Sequence, residues 1–305
     1  MYFAYQNLYM VLYHKNPYII RNFIGNMLTN ALIKKIEDYV QAKPRSIQEV
    51  SNHVGKNWRT VDRYVQQIKE EFGTIETRTF REGTRGALKI VYWASPDKVS
   101  CSVFQEKLEA DIFSARKKED FSAFDIYQYV PEAKKKSIVE RKIHEETTNL
   151  RELKYLLKNT QKELRIFSGN LSFINMKTDN IDLFSPIEEL VKKGVKVKIV
   201  CKVDITGKQN IERILSLNYK YGKELVQIKH REHPLRALIF DDKVFRIKEI
   251  KEPTGKIREL DKKIFIFYTI KDKEWTEWLA GIFNKMFNSS IGVEKRLEEI
   301  NKIFR

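Results

Sequence analysis

The chain has 305 residues, of which 42% are hydrophobic, enough to bury the cores of two domains. Its 57 Lys and Arg against 41 Asp and Glu give a formal net charge of +16, which favours an anionic partner such as nucleic acid. No uncharged apolar run is long enough to span a membrane, and Cys101 and Cys201 match neither a disulfide framework nor a metal-ligand spacing. We therefore expect a cytoplasmic protein.

Residues 1–26 are rich in aromatic side chains and precede the first clear helical pattern, Leu32 to Val40. Two interpretations of this segment stay open. It is either an arm that packs on the body or on a partner chain, or a misassigned start, since Met27 stands just before the helix. The segment lacks the apolar core and the small-residue cleavage site of a signal peptide.

Residues 27–95 are predicted to form a winged helix-turn-helix domain. Ser46 and Glu49 have the capping-box spacing at the start of one short helix, and Gly55 supplies the turn that follows it. Asn57 can cap a second helix, whose apolar side chains recur at helical spacing. This second helix leaves a polar and basic face for recognition.

A β-hairpin pattern follows, Ile75 to Phe80 and Ala87 to Trp93, and forms the wing. A helix with basic residues near its N-terminus fits the DNA major groove, and a basic hairpin fits the phosphates or the minor groove. The pattern resembles the winged-helix DNA-binding domains of bacterial and archaeal regulators, although three-helix packing also serves as a scaffold or a protein-binding module. The predicted contacts with double-stranded DNA are Lys56, Asn57, Trp58, Arg59, Thr60, Arg63, Arg78, Arg81, Arg85 and Lys89.

Residues 96–160 are predicted to be a helical linker. Within it, residues 131–160 have the pattern of one long helix, in which Val139, Leu150 and Leu157 belong to a heptad-like apolar seam. We expect this helix to form a homodimer and to place two winged helices over two half-sites. The alternative is an ordinary amphipathic helix packed on its own C-terminal domain.

Residues 161–305 alternate between strand and helix patterns, which is typical of an α/β layered domain with C-terminal helices. The predicted fold class of the whole chain is therefore α/β, or α+β overall. The predicted strands cover 164–169, 195–201, 225–229, 236–240, 243–248 and 263–269, with a tight turn at 241–242, and the predicted helices cover 181–193, 210–219, 274–288 and 293–304.

The order of these parts over about residues 160–290 resembles one half of a phospholipase D-type fold. The similarity lies in a strand that ends in Ser168-Gly169, a strand that begins at Gly194, and the segment Arg236 to Lys243. In active members of that superfamily the last segment carries His-x-Lys-x4-Asp. The histidine attacks phosphorus, and the lysine neutralises phosphate charge.

Aligned by Asp241, this chain has Pro234 in place of the nucleophile and Arg236 in place of the lysine. A proline cannot attack, and His233 stands one residue early, where a strand points its side chain to the opposite face. The resemblance thus implies an inactive relative without catalytic residues, in which Arg236 can still bind phosphate. Neither a cofactor nor a metal site is expected, because the five histidines form no credible ligand set.

A winged helix fused to an inactive phospholipase D-like domain resembles the archaeal TrmB-type transcription regulators. In that family the C-terminal domain senses a ligand, often a sugar. The resemblance implies a small-molecule effector, a sugar or an anion, and the residues expected to bind it are Arg236, Ser168 and Asn170.

The leading hypothesis is a dimeric, sequence-specific DNA-binding transcription regulator that is not an enzyme. A second hypothesis is a DNA-targeted phospholipase D-type phosphodiesterase or nuclease that uses His233 or His230 as its nucleophile. A third is a chromatin-type protein that coats DNA without sequence choice.

Overall fold

The computed structural model describes residues 28–81, 87–94, 101–141, 148–175, 177–178, 181–253 and 263–303. The predicted aromatic segment 1–26 and the predicted DNA contact Arg85 lie outside these residues. The chain divides near Pro96 into two compact units, an N-terminal and a C-terminal one. Mixed helices and strands confirm the predicted α/β (α+β) fold class.

In its described residues, the N-terminal unit combines three helices with a three-stranded antiparallel sheet of order β1-β3-β2. The predicted capping box is formed: the Ser46 backbone N–H donates to Glu49 at 2.7 Å, and the Glu49 N–H donates to the Ser46 hydroxyl at 3.2 Å. Gly55 ends that helix in the left-handed conformation, with φ of 67°. The elements are α1 (Asn30–Ala42), β1 (Arg45–Ser46), α2 (Ile47–Val54), α3 (Trp58–Glu71), β2 (Ile75–Arg81) and β3 (Ala87–Trp93).

The C-terminal unit is built on an eight-stranded mixed sheet with the strand order β13-β9-β8-β5-β10-β11-β12-β4. β5, β8 and β9 run parallel, and the remaining pairs are antiparallel. The strands are β4 (Lys135–Glu140), β5 (Glu163–Ser168), β8 (Lys196–Cys201), β9 (Val226–His230), β10 (Ala237–Phe240), β11 (Val244–Lys251), β12 (Ile264–Ile270) and β13 (Ile291–Gly292), and a separate small pair is β6 (Lys177–Thr178) with β7 (Ile181–Asp182).

Helices cover both faces of this sheet. Two consecutive residues of β5 point to opposite faces of the sheet. Ile166 joins an apolar core with Ile187 and Ile214, whereas the Phe167 ring lies 5.0 Å from the Phe283 ring on the other face. The helices are α4 (Cys101–Ser114), α5 (Ala123–Tyr127), α6 (Thr148–Lys158), α7 (Phe184–Lys192), α8 (Lys208–Tyr221), α9 (Lys273–Asn288) and α10 (Val293–Ile303). The predicted helix 181–193 is therefore shorter, since Ile181–Asp182 is a strand.

The prediction of one long helix over residues 131–160 is wrong. Strand β4 occupies Lys135–Glu140 and pairs with β12, with Val139 opposite Ile266, and only Thr148–Lys158 is helical. The sequence pattern of a short apolar run fits a helix or a strand. Here the run forms a strand because it pairs with β12 at the edge of the sheet. Leu150 and Leu157 are 3% and 2% exposed within their own unit, so they form no dimer seam.

The predicted Asp241-Asp242 turn joins β10 to β11. Both residues have left-handed backbone, with φ of 51° and 56°. The Asp241 carboxylate accepts hydrogen bonds from the backbone N–H groups that lead into β5: Gln161 at 2.9 Å, Lys162 at 2.8 Å and Glu163 at 3.0 Å. Burial alone would raise the pKa of Asp241, but these bonds outweigh it and lower the pKa. Asp241 thus holds the turn against the start of the neighbouring strand.

We predict that Asp241→Ala lowers the free energy of unfolding at pH 7 by about 2 kcal/mol or more, since three donors lose a charged acceptor. Asp241→Asn should cost less, because asparagine tolerates the left-handed backbone and keeps one acceptor oxygen. The native pKa is depressed, so the stability that the charge contributes is complete above about pH 4 and is lost as the pH falls further. In urea unfolding, the difference in the free energy of unfolding between wild type and Asp241→Asn should become smaller below pH 4. A gap independent of pH would contradict this role.

Candidate functional sites

The basic face of the N-terminal unit lies on helix α3. The Asn57 side chain caps it by accepting from the Arg59 N–H at 2.9 Å. One side of the helix is buried in the core through Val61, Tyr64, Val65 and Ile68. Arg59 and Arg63 are consequently exposed on the other side, one helical turn apart.

Charge is unevenly distributed along α3. Its N-terminal half carries two arginines and one acid, and its C-terminal half carries one lysine and two acids. The charged residues are Arg59, Asp62 and Arg63 in the first half and Lys69, Glu70 and Glu71 in the second. The positive end of the helix dipole adds to the arginines in the first turns. An anion would therefore be attracted to the N-terminal half of α3.

Trp58 and the wing residues have structural contacts of their own. Trp58 packs against the apolar core, and the Arg59 guanidinium lies 5.5 Å from its ring. Lys89 of β3 contacts Asp62 of α3 at 2.7 Å, so it ties the wing to the helix. Arg78 is half-buried, with its guanidinium 5.8 Å from the Phe80 ring.

The remaining predicted DNA contacts are placed less closely together. Lys56 and Thr60 are half-buried at the start of α3, next to exposed Asn57. Arg81 ends β2, and its side chain, like all of Arg85, lies outside what the structure describes. The structure thus brings Asn57, Arg59 and Arg63 together on one exposed face.

The C-terminal unit contains a cavity of about 470 Å³ beyond the carboxyl ends of β5 and β8. Ser168, Asn170 and Arg236, the three residues predicted to bind an effector, all line it. Open α/β sheets bind ligands at this edge of their strands. The three residues come from two separate segments, so the fold, and not the local sequence, assembles the cavity.

The Arg236 guanidinium lies directly over Gly169. A Cβ atom at Gly169 would stand 2.8 Å from Arg236 Nη2, which explains why a small residue follows Ser168. Arg236 Nη1 donates to the Leu235 carbonyl at 2.7 Å. Among the residues that the structure describes, Arg236 forms no salt bridge with an acid, although the charge of Glu119 acts on it. The salt bridge that would make it purely structural is therefore not formed there.

Ser168 and Asn170 shape the loop that carries them. The Ser168 hydroxyl accepts from the Leu171 N–H at 3.2 Å, and Asn170 Oδ1 accepts from the Ser172 N–H at 3.2 Å. The Asn170 carbonyl accepts from the Asn210 side chain at 2.9 Å. These bonds hold the loop at the mouth of the cavity.

The sequence analysis missed four other basic residues that line the cavity. The position of Lys248 is set by the tight turn, which pairs it with Arg236 across the hairpin: the Lys248 N–H donates to the Arg236 carbonyl at 2.8 Å. Arg246 lies two residues before Lys248 in β11, and Lys118 and Lys202 come from distant segments. A register count from the Asp241-Asp242 turn could have found Lys248, but no local signal points to Lys118.

Neither candidate nucleophile is placed for attack. His233 is 3% exposed, and its Nε2 lies 3.0 Å from the Val200 carbonyl, so Nε2 carries the proton. His230 Nδ1 accepts from the Val203 N–H at 2.9 Å. Within the described part of the chain, no histidine lines the cavity and no group of three His, Cys, Asp or Glu could hold a metal ion.

No described helix is long and apolar enough to cross a membrane.

We predict that His233 stays neutral down to acid pH. Burial lowers its pKa to about 4, with the Val200 carbonyl opposing the shift only in part. The unfolded chain therefore binds its proton more readily, and stability should fall by roughly 3 kcal/mol as the pH drops from about 6.5 to about 4. Ring NMR of His233 measures the pKa, and urea unfolding of His233→Gln should lose this part of the pH dependence. A His233 titration near pH 6.5 would refute the assignment.

No protein-family model and no curated protein matches this chain. Among solved structures, it is similar to TrmBL2, an archaeal chromatin protein with a novel mode of DNA binding, at 15% identity over 87% of this chain and 95% of that one, with a TM-score of 0.37. NucT from Helicobacter pylori is 14% identical over 52% of this chain and 99% of its own, with a TM-score of 0.36. Nuc from Salmonella typhimurium, a phospholipase D family member, is 10% identical over 52% and 98%, also with a TM-score of 0.36. Similarities of this extent assign no function to the chain.

Proposed function

We propose that this protein is a sequence-specific DNA-binding transcription regulator whose C-terminal unit is not catalytic. The observation that carries the proposal is the exposed pair Arg59 and Arg63, one turn apart on α3, while the opposite side of that helix is buried. An α-helix fits the major groove, and arginine there donates two hydrogen bonds to guanine. The pair therefore supplies base contacts from a rigid element.

The charge distribution of α3 favours one orientation on DNA. Glu70 and Glu71 would be repelled by phosphates, whereas the exposed Arg59 side chain presents donors at the helix N-terminus, where the Asn57 side chain accepts from the Arg59 N–H. The N-terminal half of α3 would thus point into the groove. Lys89 forms a salt bridge with Asp62, so its side chain has less freedom to reach a phosphate. It would still place a positive charge on the wing, close to the DNA.

The absence of catalysis is supported by what occupies the nucleophile position. Pro234 stands there, and the adjacent His233 is buried against the Val200 carbonyl. We infer that the C-terminal unit binds an effector in its cavity through Arg236, with Ser168 and Asn170 at the mouth. A homodimer of the TrmB type is part of this proposal, and its interface must lie elsewhere than at Leu150 and Leu157.

We predict that Arg59→Ala lowers affinity for a selected duplex by about 1–3 kcal/mol and relaxes sequence choice, because a bidentate base contact is lost. Affinity for random duplexes should change much less. Arg59→Lys should recover the charge but not the bidentate contact. Fluorescence anisotropy with both kinds of duplex measures these effects.

The matched control is Lys34→Ala, which removes an equal charge from the exposed side of α1. It should weaken both duplexes slightly and equally. If Arg59→Ala behaves like Lys34→Ala, α3 does not read bases. If all duplexes bind equally well from the outset, the protein coats DNA without sequence choice and the regulator proposal fails.

A further inference from the structure

Five basic residues line the cavity of the C-terminal unit, and they differ in whether an acid neutralises them. Arg246 lies 3.5 Å from Glu152, Lys202 lies 3.3 Å from Glu232, and Lys118 lies 3.4 Å and 3.6 Å from Glu119 and Glu252. Arg236 and Lys248 form no salt bridge with an acid among the described residues, although the charge of Glu119 acts on Arg236. These two cations are neighbours, since Lys248 N–H donates to the Arg236 carbonyl.

Two like charges that no acid pairs in a salt bridge are unfavourable at a half-buried site. Burial lowers the pKa of Lys248 to about 8, and repulsion from Arg236, Lys118 and Lys263 adds to the effect. Burial also lowers the pKa of Arg236, with Glu119 opposing it. Cations kept in a cleft at the expense of stability are typical of a binding site for an anion.

The other wall of the cavity is apolar. Leu150 and Leu183 pack together with Leu153 and Phe173, and Phe267 lines the same cavity. The volume of about 470 Å³ lies within the range of small-molecule sites. A ligand that fills both parts would have an anionic group and an apolar or ring-shaped body.

We propose that this cavity binds an organic phosphate monoester, with its phosphate on Arg236 and Lys248 and its body against the apolar wall. The guanidinium fork can bind two phosphate oxygens, and the lysine adds a second positive charge that matches the dianion. The inference rests on the proposed effector role of the C-terminal unit and names the chemical class of the effector. A neutral sugar would leave both cations unneutralised.

Matched pairs of ligands test the class of the ligand. Isothermal calorimetry on the full chain would compare adenosine 5′-monophosphate, glucose 6-phosphate and phenyl phosphate with adenosine, glucose and phenol. At least one ester should bind ten-fold or more tightly than its parent compound and than inorganic phosphate. The proposal is wrong if no ester binds more tightly than its parent compound and than inorganic phosphate.

Two variants separate a binding role from a structural one. Lys248→Met and Arg236→Gln should each weaken the bound ester at least ten-fold, while Lys223→Met, at an exposed lysine after α8, should leave its affinity unchanged. Lys248→Met should also raise the melting temperature of the ligand-free protein, because it removes an unneutralised charge but keeps the apolar stem. A lower melting temperature with unchanged affinity would show that Lys248 is structural.

Proton uptake gives a third readout. Arg236, Lys118 and Lys263 act on Lys248 as cations, and Glu119 and Glu252 form salt bridges with Lys118. Among the described residues of this cavity, Lys248 is the group whose pKa lies near 8. A phosphate dianion would raise its pKa, and binding should take up protons at pH 8 and weaken as the pH rises further. Lys248→Met should abolish the uptake. Arg59→Ala should leave the ester affinity and the proton uptake unchanged. A failure of the phosphate-binding proposal is therefore distinguishable from a failure of the DNA-binding proposal.

Discussion

The organisation of the C-terminal unit depends on the contact between the Asp241 carboxylate and the three backbone N–H groups that lead into β5. This contact fixes the β10–β11 turn against the start of β5. The register that follows places Arg236 at the far end of β10, over Gly169 and opposite Lys248. Asp241 is thus used as a backbone anchor, and the cavity is the consequence of that contact.

The basic residues of the two units lie in different environments. On α3 the arginines are exposed because the opposite side of the helix is buried, and they cost little in water. In the cavity, Arg236 and Lys248 are half-buried, and burial, with repulsion from Arg236 as a smaller cause, lowers the pKa of Lys248 to about 8. The first arrangement suits a large, solvated polyanion, and the second suits a small, desolvated one. These differences in environment support assigning the two sites to different ligands.

Local chemistry made part of this structure predictable. The capping box at Ser46 and the helix cap at Asn57 each depend on residues within four positions of one another, and both are formed. The turn at Asp241-Asp242 is also formed, but its anchor is the distant backbone of residues 161–163. β4 was not predictable, because its conformation is decided by pairing with β12. The same holds for the cavity: Arg236 could be chosen from a motif, whereas Lys118 and Lys248 become neighbours only through the sheet and its connections.

The central claim is that the N-terminal half of α3 reads bases in the major groove. Dimethyl sulfate methylates guanine N7 in that groove, which is the acceptor that an arginine fork would cover. With a duplex selected from a random library, the intact protein should protect at least one guanine N7 in each bound site, and Arg59→Ala should remove that protection at protein concentrations that still saturate the duplex. Full occupancy by the intact protein without protection of any guanine would contradict the claim and place the DNA on another surface.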